Sequence, residues 1–278
     1  MRKTSRLAVT LFGLVAVGTA SALLAQDAGM PTGAEIVSQC DVKNPGKDQR
    51  GRLTITLVDK NGNERKNVYL RLWKDYDGAE NIADKMVLFT EYPPDARGAA
   101  FLRWAFTADA DRNADQWIYL PTLRRARPVS VREPGDSFLG SDLTYADISE
   151  RPLDRDDHKL VRVDNQSDES FYVVESTPNK DKDKAPLYSK RIGWYKKTAD
   201  WSGCVRTKME YYDVKGNLLK TQALTWQNVK DAWLWKRVEV QNVQSKHSSI
   251  FEIDEAEVNV GIADDVFSER TLQAGYKR

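Results

Sequence analysis

The chain has 278 residues, with 42 Lys and Arg against 41 Asp and Glu, two His, two Cys and a mean hydropathy of −0.60. A net charge of +1 provides no basic field for gripping nucleic acid, and two His with two Cys are too few soft ligands for a zinc cluster or an iron–sulfur centre. An apolar share of 41%, with 8 Trp, 11 Tyr and 8 Phe, is enough to build a core, and a polytopic membrane protein is excluded.

The charge balance changes once the first 22 residues are set apart. Arg2, Lys3 and Arg6 precede an apolar run from Leu7 to Val17, and Ala20-Ser21-Ala22 supplies the small residues of a cleavage site. This is the layout of a secretory signal peptide over residues 1–22. The run is well short of the ~20 residues that span a bilayer, although a retained signal anchor is the alternative. Cleavage after Ala22 leaves residues 23–278 as one domain with 39 cations against 41 acids. Export places Cys40 and Cys204 in an oxidising compartment, where a disulfide or two separate buried thiols are both open readings.

Thr32 to Cys40 reads as a short helix, with Thr32 as cap and Glu35 three residues on. From residue 50 nearly everything reads as strand. Leu53, Ile55 and Leu57 alternate with polar residues, Asp59-Lys60-Asn61-Gly62-Asn63 supplies a tight turn, and Val68, Leu70 and Leu72 resume the alternation. Strands are predicted over 85–92, 98–106, 116–120 and 128–132, then 159–165, 170–176, 187–195, 205–212, 218–226, 233–243 and 249–260. Asp213-Val214-Lys215-Gly216-Asn217 repeats the turn chemistry. Ser141 to Glu150 reads as a second helix, and the tract 179–184 of alternating charge as a solvated loop. Roughly a dozen strands at such spacing indicate a mainly β barrel or sandwich.

Catalytic signatures are missing: there is no G-x-S-x-G, G-x-G-x-x-G, P-loop or H-E-x-x-H string. His158 and His247 read as surface residues, and Asp109, Asp111 and Asp115 as a solvated loop without the ligand spacing of an EF-hand. The chain therefore reads as a non-enzyme that needs no cofactor or metal. The densest positive patch is Arg124-Arg125-Ala126-Arg127 with Arg132, either a contact for phosphate or an acidic partner, or a strand edge kept charged against aggregation. Leu102, Trp104 and Phe106 share one face of a predicted strand, and Trp117 and Tyr119 share a face of the next. Such side chains either fill an ordinary core or line a cavity for an apolar ligand.

Four strings carry a resemblance: Gly98-Ala99-Ala100-Phe101-Leu102-Arg103-Trp104, Asp115-Gln116-Trp117-Ile118-Tyr119-Leu120-Pro121, Arg124-Arg125-Ala126-Arg127-Pro128-Val129, and Ser137-Phe138-Leu139-Gly140-Ser141-Asp142-Leu143-Thr144-Tyr145-Ala146-Asp147. Together with Trp235 to Asn242 and Asp264 to Leu272, they resemble the outer-membrane lipoprotein-sorting protein family of the LolA/LolB-like superfamily of periplasmic carriers. The resemblance runs from about Gly33 to Leu272. It implies a single half-open antiparallel β-barrel of roughly eleven strands, with short helices as a lid over a hydrophobic cavity. It also implies a monomeric periplasmic carrier that shields the acyl chains of a lipid or lipoprotein, with an inner-membrane RND-type transporter and an outer-membrane acceptor as partners. Mapped onto this chain, Met86, Leu88, Leu102, Trp104, Phe106, Trp117 and Tyr119 are expected to line the cavity. Ser141, Asp142 and Tyr145 are expected at the lid or mouth, and Arg125 and Arg127 beside the opening to meet headgroups or a partner. The alternative is an accessory module that docks an envelope transporter complex and carries no lipid; a hydrolase of envelope polymers is the third reading, with no nucleophile to nominate.

Overall fold

Alternating strands joined by short turns can only satisfy their backbone groups by pairing with neighbours, and here they do so in a single sheet. The computed structural model describes residues 29–41, 43–110, 112–129 and 134–276; residues from Pro31 onward form one compact unit, and the signal peptide expected at 1–22 lies outside the described residues. Thirteen antiparallel strands are hydrogen-bonded in one open sheet. They are β1 (Asp48–Val58), β2 (Glu64–Asp75), β3 (Ile82–Tyr92), β4 (Ala100–Phe106), β5 (Asp115–Leu120), β6 (Arg125–Pro128), β7 (Asp156–Gln166), β8 (Glu169–Pro178), β9 (Lys190–Lys196), β10 (Arg206–Tyr212), β11 (Leu218–Val229), β12 (Ala232–Asn242) and β13 (Ser248–Val258). The order is β6-β5-β4-β3-β2-β1-β13-β12-β11-β10-β9-β8-β7, so the first and last strands meet in the middle and the edges are β6 and β7. This is the expected half-open barrel, with thirteen strands rather than roughly eleven.

The turn chemistry explains two of the hairpins. Asp59 Oδ1 accepts the N–H groups of Asn61 at 2.8 Å and Asn63 at 2.9 Å, and Asp213 Oδ1 accepts those of Lys215 and Asn217, both at 2.9 Å. In each turn the fourth residue, Gly62 or Gly216, has φ 85°, which a side chain resists.

Two helices and a strap cover the sheet. Helix α1 (Gly33–Asp41) begins as predicted, with Thr32 Oγ1 accepting from the Glu35 N–H at 3.1 Å. Ile36, Val37 and Cys40 bury it against Tyr172, Val174 and Tyr195 on β8 and β9. A disulfide from Cys40 to Cys204, with Cα atoms 4.9 Å apart, ties it to the chain before β10. Helix α2 (Glu269–Ala274), capped by Ser268, lies on the other face of the sheet over β4 to β6. The strap, residues 134–150 between edge strands β6 and β7, packs on the inner face, the same face that α1 covers.

That connection departs from the sequence reading. Residues 141–150 do not form a helix; they are turns following a single 3-10 turn, Phe138–Gly140. The backbone folds back on itself through Phe138 N–H to Leu143 O at 2.8 Å and Tyr145 N–H to Asp136 O at 3.0 Å. Leu139 at φ 52° and Gly140 at φ 76° make the reversal. Side-chain bonds to distant residues decide the outcome, since Asp142 is taken by His247 and Ser249 and Asp147 by Tyr188 and Lys220. Strand β6 likewise starts three residues earlier than the predicted 128–132. Among the described residues, no helix is long and apolar enough to cross a membrane.

Candidate functional site: a strapped inner face and its polar cleft

Cross-strand partners point to the same face of a sheet, so the register assigns each predicted residue. Met86 pairs with Arg103, and Leu88 with Phe101; Leu102 instead pairs with Val87 and Trp117, and Ala100 with Phe89 and Tyr119. The residues expected to line one cavity therefore divide between two faces. Met86 and Leu88 lie on the inner face, in a cluster with Leu53, Ile55, Phe101 and Phe251. Leu102, Trp104, Trp117 and Tyr119 lie on the outer face, packed under Ile262, Val266, Phe267 and Leu272 of the C-terminal segment. Trp104 Nε1 donates to the Phe267 carbonyl at 3.0 Å and its ring meets Trp117 edge-on, with centroids 5.3 Å apart. These aromatic side chains hold the C-terminus down rather than lining a cavity. Phe106 is half-buried beneath the Arg112 guanidinium, 3.8 Å from the ring centroid.

An apolar cluster occupies part of the inner face, and the strap packs on it. Phe138 and Leu143 are buried against the inner cluster, with Leu139, Tyr145 and Ile148 packed beside them. The Phe138 ring meets Phe101 and Tyr145 edge-on, at 6.2 and 5.6 Å between centroids.

Polar contacts at two acids fasten the strap. Asp142 Oδ2 accepts the Ser249 hydroxyl at 2.6 Å and lies 2.7 Å from His247 Nδ1, while its N–H donates to Ser249 Oγ at 3.0 Å. Asp147 Oδ2 accepts the Thr144 N–H at 2.7 Å and the Lys220 ammonium at 2.6 Å, and Tyr188 donates its hydroxyl to Oδ1 at 3.0 Å. Lys220 also donates to the Asp142 carbonyl at 2.8 Å, and its Nζ lies 4.9 Å from the Tyr211 ring centroid. The Lys220 and Asp147 side chains are each 2% exposed. Burial, followed by the Asp147 charge, drives the Tyr188 hydroxyl far above its usual range, so it stays a donor. Ser141 is buried and donates to the Phe138 carbonyl at 2.7 Å. His247 thus belongs to this latch, and His158 is also engaged, with Nδ1 2.8 Å from Ser176 Oγ and Nε2 2.9 Å from the Leu153 carbonyl. The surface reading of both histidines is corrected: each is half-buried and bonded.

An open cleft of about 520 Å³ remains between the C-terminal end of the strap, the β4–β5 hairpin and the loop before β9. Its lining sets Arg103, Arg112, Arg151, Arg155 and Arg191 against Asp147, Glu150 and Asp183, with the rings of Phe106, Tyr145 and Tyr188 beside them. Asp156 beneath it pairs with Arg151 at 2.7 Å and with Arg191. Arg125 and Arg127 are exposed on edge strand β6 and do not line the cleft. Among the described residues, no group of three His, Cys, Asp or Glu is placed to hold a metal ion.

A family model described as that of an uncharacterized protein, the DUF1329-like family, matches residues 83–274. The chain belongs to the DUF1329-like family. Solved structures share its fold. A DUF1329 family protein from Desulfovibrio piger is 21% identical with a TM-score of 0.73, covering 86% of this chain and 97% of its own. A structure from Vibrio parahaemolyticus, described as an outer membrane lipoprotein-sorting protein domain, is 24% identical with a TM-score of 0.71, covering 87% and 98%. A LolA superfamily protein from Nitrosomonas europaea is 21% identical with a TM-score of 0.61, covering 87% and 99%. No curated protein matches the chain. These neighbours bear out the half-open barrel.

Reading the sequence alone missed Lys220, Tyr188, His247 and Ser249 as partners of the G-S-D-x-T-Y-x-D string. A faint signal was present: Lys220 and Gln222 fall on the same register as Leu224, polar residues in an otherwise apolar alternation. Arg103, between Leu102 and Trp104, points inward only because its neighbours point outward.

Proposed function

We propose that this protein is a periplasmic carrier that shields the acyl chain of a lipid or lipoprotein on the inner face of its half-barrel, with the strap as the element the chain displaces. The observation that carries this reading is the cover of that face: a segment of turns fastened at two acids, and not a helix or strand continuous with the sheet. Uncovering the five apolar side chains of the strap costs about 1.5–3 kcal/mol each. An acyl chain returns about 0.8 kcal/mol per methylene, so a chain of roughly sixteen carbons offsets much of the exchange. Cargo entry and release then become an equilibrium that a membrane partner can shift in either direction. The fold shared with the lipoprotein-sorting and LolA superfamily structures supports the same reading. An RND-type transporter at the inner membrane and an outer-membrane acceptor are the partners it entails, with Arg125 and Arg127 exposed to meet them.

The test is extraction of protein purified natively from a periplasm, with mass spectrometry of co-purified acyl lipids, alongside titration with a fluorescent acyl probe. Asp142→Asn, which loosens the strap, is expected to raise probe uptake. Absence of co-purified lipid together with no probe uptake in either form overturns carriage. A second reading, a docking module without cargo, is favoured by the strap packed on the inner face and the charged residues lining the cleft. In that case Arg125→Glu with Arg127→Glu abolishes association with the envelope partner while probe uptake is absent throughout.

A further inference from the structure

A buried donor and a buried acceptor without partners stand at the wall of the cleft. Arg103 is 3% exposed and Gln116, its cross-strand partner, 7%. Arg103 Nη2 donates to Ser149 Oγ of the strap at 3.0 Å, Nη1 is 3.6 Å from Asp84 Oδ1, and Nε has no hydrogen-bond partner. Gln116 Oε1 also has none. Leaving such groups unmet inside a protein is costly, and a pair of them on adjacent strands at one cleft needs an explanation. The surrounding charge is unbalanced in the same sense. Arg71, also buried on the inner face, faces the same Asp84 as Arg103 and donates to the neutral Gln49 Oε1 at 2.8 Å. That single carboxylate stands against two guanidinium groups, and burial raises it above its usual range. Across the cleft, Arg155 adds a further cation and Glu150 an acid, while Arg151 is held by Asp156 and Asp183 and Arg191 by Asp156.

We propose that Arg103 is the receptor for the anionic headgroup of the cargo, an oxyanion of phosphate type that enters the cleft and takes the place Ser149 holds in the strapped form. This rests on the carrier reading above. The guanidinium fork matches two phosphate oxygens, and the orphaned Gln116 oxygen accepts the remaining proton of a phosphate monoester monoanion. The strap then imitates cargo at both ends. Phe138, Leu143 and Ile148 occupy the apolar face, and the Ser149 hydroxyl occupies the headgroup position.

Three probes distinguish the sources of this chemistry: inorganic phosphate, dodecyl phosphate and uncharged dodecyl maltoside, titrated by calorimetry against the full mature chain. Dodecyl phosphate is expected to bind, with Arg103→Gln weakening it at least tenfold and leaving dodecyl maltoside unchanged. Ser149→Ala, at an exposed position, is expected to tighten dodecyl phosphate three- to tenfold, because the anion no longer displaces a hydroxyl; a purely structural Arg103 predicts no such gain. If Arg103→Gln fails to fold, Ser149→Ala decides alone. Equal dodecyl phosphate affinity in wild type and either variant overturns the proposal, as does the absence of binding by both phosphate probes. Arg103-dependent binding of inorganic phosphate, with no binding of either dodecyl probe, keeps the anion site and overturns carriage instead.

Discussion

Replacing Lys220 with Met tests the latch directly. The ammonium sits 2.6 Å from Asp147 Oδ2 and 2.8 Å from the Asp142 carbonyl, in a site where both charged side chains are 2% exposed. Methionine fills much of the volume but leaves the Asp147 carboxylate buried with only the Tyr188 hydroxyl and the Thr144 N–H as donors. Removing one partner of a buried ion pair costs about 3–5 kcal/mol, chiefly because the other charge stays desolvated. At about 2–4 °C per kcal/mol for a domain of this size, the midpoint of thermal unfolding falls by roughly 10 °C. Asp147→Asn keeps an acceptor for Thr144 and removes the stranded charge. The double variant Lys220→Met with Asp147→Asn is therefore expected to be more stable than Lys220→Met alone, with a coupling of about 2 kcal/mol in a double-mutant cycle. Urea denaturation with the disulfide intact gives the energies, and amide exchange over residues 141–146 reports whether the strap loosens before the sheet. A Lys220→Met protein within about 1 kcal/mol of wild type, or a double variant whose losses simply add, would refute the argument that this pair fastens the strap.

The remaining predictions concern other parts of the structure. The Cys40–Cys204 bond closes a loop across a sequence separation of 164, for which the loop-closure model gives about 5 kcal/mol; dithiothreitol should lower the unfolding midpoint of the wild type and leave that of the Cys40→Ser, Cys204→Ser protein unmoved. Burial opposes ionisation of Asp156, but the hydrogen bond from Arg151 and the charges of Arg191 and Arg151 prevail and hold its carboxyl below the usual range. A depressed native pKa means that the unfolded chain binds the proton first, so this stabilisation is complete above about pH 4 and fades as pH falls through the native value. The stability gap between wild type and Asp156→Asn, measured by denaturation, should accordingly be largest at neutral pH and shrink in acid; a constant gap contradicts the assignment. Phe267→Ala, under the outer-face aromatics, should cost about 3–5 kcal/mol without changing acyl-probe uptake, whereas Phe138→Ala in the strap should cost stability and increase uptake. If Phe267→Ala alters uptake and Phe138→Ala does not, the two faces have been assigned the wrong roles.

Local rules were enough for the sheet. Alternation of apolar and polar residues marks the strands, and the D-x-x-G-N turns close two of the hairpins through an Asp side chain and a glycine, both matters of residues within five positions of one another. The cap at Thr32 belongs to the same class, and the four strings pointed to the half-open barrel that the strands build. Sequence alternation also states which residues share a face within a strand, but never which face is inner. That choice is made by what crosses the sheet: the strap and α1 took the face of Leu88 and Phe101, and the C-terminal segment took the face of Leu102 and Trp117. The aromatic side chains looked like a cavity lining because they are large and in register, and they were in register with each other under a helix. The helix expected over 141–150 was lost for a related reason. Asp142 and Asp147 bond instead to Lys220, Tyr188, His247 and Ser249, residues 41 to 107 positions away, which a helix over 141–150 would forgo. The same long-range closure gave the orphaned donor on Arg103 its place beside the cleft. The opening near-equality of 42 cations and 41 acids thus describes the sum and hides the arrangement, because only the tertiary structure buries Arg71 and Arg103 beside the one carboxylate of Asp84.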